Sequence, residues 1–335
     1  MLRRILIPVL LLLASTALAG VAAEYAVRWR FRELTTTSPI ESYFGLRWKQ
    51  RHLQRNQWGY REREFDFEKP EGVTRIAVVG DSFAIAMGLP VEQRFTNRIE
   101  RSLNRDGGRF EVLQFANPGA ETHHQLKTLR KVVLKAQPDF VLLQWYVNDF
   151  EPTKFGRPKP PGNLVPAEGL HARLFRSSAL YILLNHAWRS LQLSLGTVVR
   201  YEDYMRERFG DPESTDSRIA LGILESFIAK CQRAGVPLGI ALFPRPTQRL
   251  SDYPLAFLHE RVIALCDARE IPCLDLTPTF APYADRIQEI WLNRFDHHPG
   301  ALGHRLAAER ILEEFRPYWT GAAPAPGERS RPGRR

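Results

Sequence analysis

Between residues 74 and 276, short uninterrupted apolar runs alternate with stretches whose apolar positions recur every three or four residues. The first run is Arg75–Val79, and a helical pattern around Glu92–Leu103 follows it. The second, Phe110–Phe115, leads into a segment opening Thr122-His123-His124-Gln125, with Leu126, Leu129, Val132 and Val133 at helical spacing. Thr122 and Gln125 there spell a T-x-x-Q capping box. A third run, PDFVLLQWYVND, is nearly continuous, as expected of a strand covered on both faces. Residues 151–215 then break the alternation with a Pro-rich loop and an aromatic, helical stretch around Leu174–Leu193, which reads as an insertion beside the site. The pattern resumes with a helix near Ser217–Ala234, a strand Pro237–Phe243, a helix near Leu255–Ala268 and a strand Pro272–Leu276. A last helix, from about Pro299 to Phe315, carries Leu302, Leu306, Ile311 and Phe315 on one stripe, which is the expected core face. Strand and helix in alternation predict an α/β fold, a parallel sheet with helices on both faces.

The N-terminal segment has a different pattern. MLRR precedes ILIPVLLLLASTALAGVAA, which carries no charge until Glu24 and approaches the length needed to cross a bilayer. Ala17-Leu18-Ala19 offers a cleavage site for a removed signal peptide, but the apolar run continues past it, which suits an uncleaved anchor better. Either reading exports the rest of the chain, to the periplasmic side of an inner membrane or into the medium. Residues 25–73 are polar, aromatic and without a sustained period, a stalk or a wrap leading to the first strand. Residues 74–319 form the expected main domain, and 320–335 a disordered basic tail.

Composition adds little beyond this frame. The formal charge of +10 is spread along the chain, without Lys/Arg blocks interleaved with aromatics, so a nucleic-acid partner is not expected. Cys231, Cys266 and Cys273 sit in no CxxC or metal-ligand array; they read as buried thiols, with Cys266–Cys273 or Cys231–Cys266 pairing open to them in an oxidising compartment. The sequence carries no signature of oligomeric state.

Four short stretches stand at the ends of the predicted strands or before helices: GDSF, ANPGAET, YVND and FDHHPGALGH. Such positions converge on one edge of a parallel sheet. A hydroxyl nucleophile needs a base, a group to orient the base, and donors for the developing oxyanion. Ser82 is the candidate hydroxyl, His298 and Asp296 meet the first two needs, and the pair Gly119 N–H and Asn148 side chain meets the third.

In this order the stretches resemble the blocks of the GDSL, or SGNH, hydrolase family: Gly80-Asp81-Ser82-Phe83, Gly119, Asn148-Asp149 and Asp296-His297-His298-Pro299. The upstream NQWGYREREFDFEKPEGV is similar to the lead-in of membrane-anchored bacterial members. Two departures stand out: Tyr146-Val147 replace the glycines common before the Asn, and the acid lies two residues before the His, where many members have three. The resemblance implies a three-layer α/β/α sandwich with a flavodoxin-like sheet, no cofactor and no metal, and hydrolysis of acyl esters through an acyl-serine. Trp145, Tyr146 and Phe150, which cluster by Asn148, are the expected substrate-binding residues, contacting a carbohydrate or lipid ester.

Each element also has a plainer reading. Ser82 could end a strand in a simple turn, Gly119 could be a turn glycine and Asn148 an Asx-turn residue. Asp81 and Asp149 read as structural, His297 as a neighbour of the base, and His304 as without a role. His123 and His124 read as exposed. Asp296-His297-His298 also spells the DHH signature of metal-dependent phosphoesterases, but no matching Asp cluster precedes it. The same site would serve an envelope-polysaccharide O-acyltransferase, and a non-catalytic glycan-binding scaffold is the remaining alternative.

Overall fold

The computed structural model describes residues 2–151 and 168–322. The elements begin with α1 (Leu2–Arg30), α2 (Tyr43–His52), β1 (Thr74–Gly80), α3 (Ser82–Ile85), α4 (Phe95–Leu103), β2 (Phe110–Ala116), α5 (Thr122–Lys131) and β3 (Phe140–Tyr146). There follow α6 (Gly169–Ser177), α7 (Ala179–Ser194), α8 (Tyr201–Phe209), α9 (Thr215–Arg233), β4 (Leu238–Phe243), α10 (Ala256–Ala268) and β5 (Cys273–Asp275). The order closes with α11 (Thr277–Phe280), β6 (Trp291–Asn293), β7 (Asp296–Pro299) and α12 (Ala301–Trp319).

The chain divides into two compact units. The larger contains 52–151 and 200–322 among the described residues, and its centre is a five-stranded parallel sheet in the order β2-β1-β3-β4-β5. The inner strands are apolar on both faces because both faces are covered. Phe140 and Gly239 meet Phe315 of α12 on one side, where α12 also packs on α4. Helices α5 and α9 pack together on the other. This is the three-layer α/β/α arrangement the sequence patterning and the resemblance imply.

Several local expectations change. Glu121, not Thr122, caps α5, accepting from His123 N–H at 2.6 Å. The buried face of α12 is His304, Ala307, Ala308, Ile311 and Phe315, with Leu302 and Leu306 half-buried at its edge. His304 is therefore a core residue. Its ring stacks on Phe95 (5.9 Å between centroids), Nδ1 accepts from Phe95 N–H at 3.3 Å, and burial pushes its pKa down to about 3. The three cysteines are free thiols.

The segment 25–73 is no single stalk: 25–51 belongs to the smaller unit and 52–73 wraps the larger. Tyr60 and Phe65 pack edge-on against Phe115 of β2, at 5.3 and 5.5 Å. The stretch 151–215 is likewise divided: 168–199 lies in the smaller unit and 200–215 in the larger. Its Pro-rich portion from 152 to 167, and the basic tail from 323 onward, lie outside the described residues.

The smaller unit is helical. Val27, Phe31 and Leu34 pack with Phe44 of α2 and with Phe175, Ala179 and Ile182 of α6 and α7. Glu24 closes it electrostatically, accepting from Ser178 Oγ (2.7 Å) and from the N–H groups of Ala179 and Leu180 (2.9 Å each) at the start of α7. Arg28 donates to Glu24 and to Ser177 O. The segment Ile5–Arg30 is long and apolar enough to cross a membrane.

Candidate active site

The registers Gly80↔Ala116 and Val79↔Leu143 place the ends of β1, β2 and β3 side by side. The loops after these strands carry Ser82, Gly119 and Asn148. Gly80 permits the tight exit from β1: a Cβ there would stand 2.4 Å from Gln144 Oε1, which accepts from Asp81 N–H at 3.0 Å. Asp81 then caps the one-turn helix α3, its Oδ1 accepting from Phe83 N–H at 2.9 Å. Ser82 is the first residue of that helix, where the helix itself supplies no acceptor for the N–H, and it keeps 9% of its surface exposed.

The hairpin β6–β7 brings the remaining groups. Asp296 and His298 are two apart on β7 and so share one face, while His297 turns the other way and stacks on Trp291 at 3.7 Å. His298 Nε2 lies 2.9 Å from Ser82 Oγ, and His298 Nδ1 lies 2.5 Å from Asp296 Oδ1. Asp296 is buried, and the same oxygen accepts from His298 N–H at 3.2 Å. The two-residue D-x-H spacing thus reaches the imidazole directly. Burial pushes the His298 pKa down, but the neighbouring Asp296 carboxylate, its hydrogen bond and the charge of Asp81 push it further up, and the net direction is upward. A hydroxyl, imidazole and carboxylate chained in this way can pass a proton from Oγ to Nε2 and hold the resulting imidazolium.

Asn148 lies in the turn Val147–Phe150 directly after β3, and its Nδ2 donates to Asp81 Oδ2 at 3.1 Å. The turn is held by Asp149, which accepts from Tyr146 N–H (2.8 Å), from Gln125 Nε2 (2.9 Å) and from the Thr122 hydroxyl. The residues that spell a capping box in the sequence thus brace the Asn148 turn instead. Burial, and then the nearby Asp81, hold the Asp149 pKa well above the ordinary carboxylate range. Gly119 occupies the third position of the turn Asn117–Ala120, closed by Ala120 N–H to Asn117 O at 3.1 Å. With Pro118 before it and φ of +67°, this is a type II turn, which explains the glycine. A hollow of about 390 Å³ adjoins it, lined among others by Tyr60, Gly119, His124, Lys127 and Lys131.

The aromatic cluster is only partly where the sequence puts it. Tyr146 points towards the site, its ring 4.3 Å from Phe83, which in turn meets the His298 ring at 5.2 Å. Trp145, one residue earlier on β3, faces the opposite helical layer and packs edge-on against Phe150 and His259, each at 5.7 Å. Phe150 is sealed against Phe209. Trp145 and Phe150 are therefore core residues with 1% and 2% of their surface exposed, and the expectation that they contact substrate is corrected. Strand alternation is the reason for Trp145, and the turn after β3 directs Phe150 into the core.

Other residues escaped the sequence reading. Buried Arg61 donates to the carbonyls of Ile85, Ala86 and Leu89 at 2.7–3.0 Å, clasping the backbone that follows Ser82. Burial, and then the charge of Arg94, lower its pKa to about 10. Beyond β4, Arg245 lies 4.6 Å over the Tyr201 ring with Nε 3.3 Å from Glu202, and its N–H donates to the Tyr253 hydroxyl at 2.8 Å. Tyr201 donates to Glu151, whose carboxyl burial pushes up to about 7. Arg245 stands two residues past a strand end, so the positional rule that found Ser82 and Asn148 also covers it. Arg61 has no such signal. Among the described residues no group of His, Cys, Asp and Glu is placed to hold a metal ion.

A parallel α/β sheet with a Ser-His-Asp chain at its carboxyl edge defines a class of hydrolase, and sequence comparison identifies the family. The family model described as GDSL-like Lipase/Acylhydrolase family matches residues 78–306. The chain belongs to this family and is an ester-bond hydrolase. The structure is similar to that of TesA, with 15% identity over 73% of this chain and 99% of that one, at a TM-score of 0.45. It is also similar to an acetyl xylan esterase, AlAXEase, with 15% identity over 71% of this chain and 98% of that one, at 0.45. A lipase/acylhydrolase from Enterococcus faecalis shows 16% identity over 73% and 96% of the two chains, at 0.44. A search of curated proteins found no match.

Proposed function

We propose that the protein is a serine esterase that removes acyl groups, acetyl or short-chain, from a carbohydrate or lipid of the cell envelope. The observation that carries this reading is the unbroken chain from Ser82 Oγ through His298 to Asp296. His298 Nε2 takes the Oγ proton as Oγ attacks the ester carbonyl, and Asp296 holds the proton on Nδ1 and stabilises the imidazolium. Ser82 N–H, Gly119 N–H and the second Asn148 amide hydrogen receive the oxyanion. Its collapse expels the alkoxide, which leaves with the proton from His298, and an acyl-serine remains. Water, deprotonated by the same imidazole, then releases the acid.

Tyr146 and the Arg245–Tyr201 pair support a carbohydrate leaving group, because flat rings and a forked donor suit sugar faces and hydroxyls. The apolar helix α1 supports an anchored, exported enzyme. The test is para-nitrophenyl acetate and butyrate hydrolysis by the full chain beside Ser82→Ala. Loss of turnover in the variant, with unchanged thermal unfolding, is the expected result. Equal rates in the two proteins would remove Ser82 from the mechanism.

A further inference from the structure

Helix α7 carries a stripe that the smaller unit leaves uncovered. Leu184, Trp188, Leu191 and Leu195, at the helix and its C-cap, recur at spacings of four, three and four residues and so lie on one face. They are 59%, 60%, 46% and 66% exposed, whereas Ala179 and Ile182 of the same helix are buried in the unit's core. No Asp or Glu occurs in α7, and the residues between the stripe positions on its exposed side are Ala187, Ser190 and Ser194. Four large apolar side chains in one row, without a charge among them, are a contiguous patch rather than the scatter normal on a surface.

The occupant is indicated by what α7 is attached to. The apolar part of α1, from Ile5 to Val21, is exposed along its length and is of bilayer-spanning size. Tyr25 and Trp29 follow it, 68% and 69% exposed, with Arg28, Arg30 and Arg32 beside them. Aromatic and basic residues after an apolar span mark the level of the lipid headgroups. Glu24 and Arg28, at that same level, bind the first turn of α7 through Ser177, Ser178, Ala179 and Leu180. Helix α7 therefore starts where the bilayer surface lies. Exposed Arg173 and Arg176 on the preceding helix add cations suited to anionic headgroups.

We infer that α7 is an interfacial helix, its Leu184–Trp188–Leu191–Leu195 face seated in the headgroup–acyl boundary of the membrane that α1 crosses. The inference rests on the anchor reading of α1 and adds a second lipid contact to it. Two contacts from one rigid unit restrain its tilt, where a single span would leave it free to swing.

The test places an environment-sensitive fluorescent amino acid at Leu12, Leu191 or Lys127 in the full chain. Each protein is reconstituted in vesicles of phosphatidylethanolamine and phosphatidylglycerol with quenchers at shallow or deep acyl positions. The expected result is deep quenching at position 12 and shallow quenching at 191 several-fold above that at 127. Leu184→Glu with Trp188→Glu should bring the signal at 191 down to the level at 127 while hydrolysis of a soluble ester is unchanged. Quenching at 12 with none at 191 overturns the inference and leaves the anchor standing. A blue-shifted, unquenched probe at 191 that depends on protein concentration assigns the face to a second copy, and also overturns it. Absence of quenching at 12 removes the anchor, and the inference with it.

Discussion

Asp81 is the group whose replacement separates chemistry from folding most cleanly. Its two oxygens accept from Phe83 N–H at 2.9 Å and from Asn148 Nδ2 at 3.1 Å, and it is fully buried. In Asp81→Asn the new amide oxygen retains the α3 cap, but its NH2 then faces the NH2 of Asn148. Asn148 resolves this clash by turning its Oδ1, which is buried and has no protein partner, towards position 81. The oxyanion then meets an oxygen in place of an N–H. Losing one such donor costs about 3–4 kcal/mol of transition-state stabilisation, or about 100- to 1,000-fold in kcat. Stability should move the other way. Burial outweighs the hydrogen bonds at Asp81 and raises its pKa in the folded state. A carboxyl so raised favours the fold at pH below its unfolded value and loses that contribution as pH rises, so a neutral amide should leave the variant at least as stable at pH 7. The pH profile supplies a second readout. The charge of Asp81 helps raise the His298 pKa, and the base must be neutral to act, so the acid limb of kcat/KM should lie above the ordinary histidine value of about 6.5 and shift downward in the variant. Steady-state kinetics from pH 5 to 9, with thermal unfolding alongside, would decide it. A variant retaining a third or more of the wild-type kcat would refute the oxyanion role of Asn148; a fall in kcat matched by a fall in Tm would reassign Asp81 to folding.

Further expectations concern the support of the site. Arg61→Met removes three charge-assisted hydrogen bonds from the carbonyls after α3. It should destabilise the fold by about 3 kcal/mol in urea titration and lower kcat more than it raises KM; an unchanged urea midpoint would count against the clasp. Trp145→Phe should cost roughly 1–2 kcal/mol of stability and leave KM for aryl and sugar esters within about twofold, because the indole is sealed in the core. A KM rise of tenfold or more in that variant would return Trp145 to the substrate surface.

How much of this was legible beforehand differs by residue. Ser82, His298 and Asp296 could be selected because strand ends and helix starts of a parallel sheet share one edge and the four stretches stand in the order of the family's blocks; that Asp296 and His298 share one face of β7 was visible only in the structure. The apolar N-terminal span and the order of the elements were equally readable, since apolar patterning is a local property of the chain. Trp145 was misplaced because the face of a doubly covered strand is invisible in an all-apolar run; alternation separates Tyr146 from Trp145 only when one neighbour has a known direction. Phe150 was misplaced because the direction of a side chain in the turn after β3 is set by its tertiary partner, Phe209. Thr122 and Gln125 were misread because a local cap and a tertiary brace use the same residue types, and it was the approach of Asp149 that decided between them. Arg61 left no trace at all, being one arginine of many in a segment without period.

Local patterning by itself determined the alternation of strand and helix, the apolar span and the chemistry-bearing residues of the four short stretches. Tertiary structure alone decided the division of 151–215 between two units, the burial of His304, the clasp of Arg61 and the hydrogen bond from Asn148 to Asp81. The physical reason is one of range. Periodicity and backbone preference act over a few residues and are written in the order of the chain, whereas the partner of a buried polar group is selected by desolvation, from whichever segment folding brings within about 3 Å.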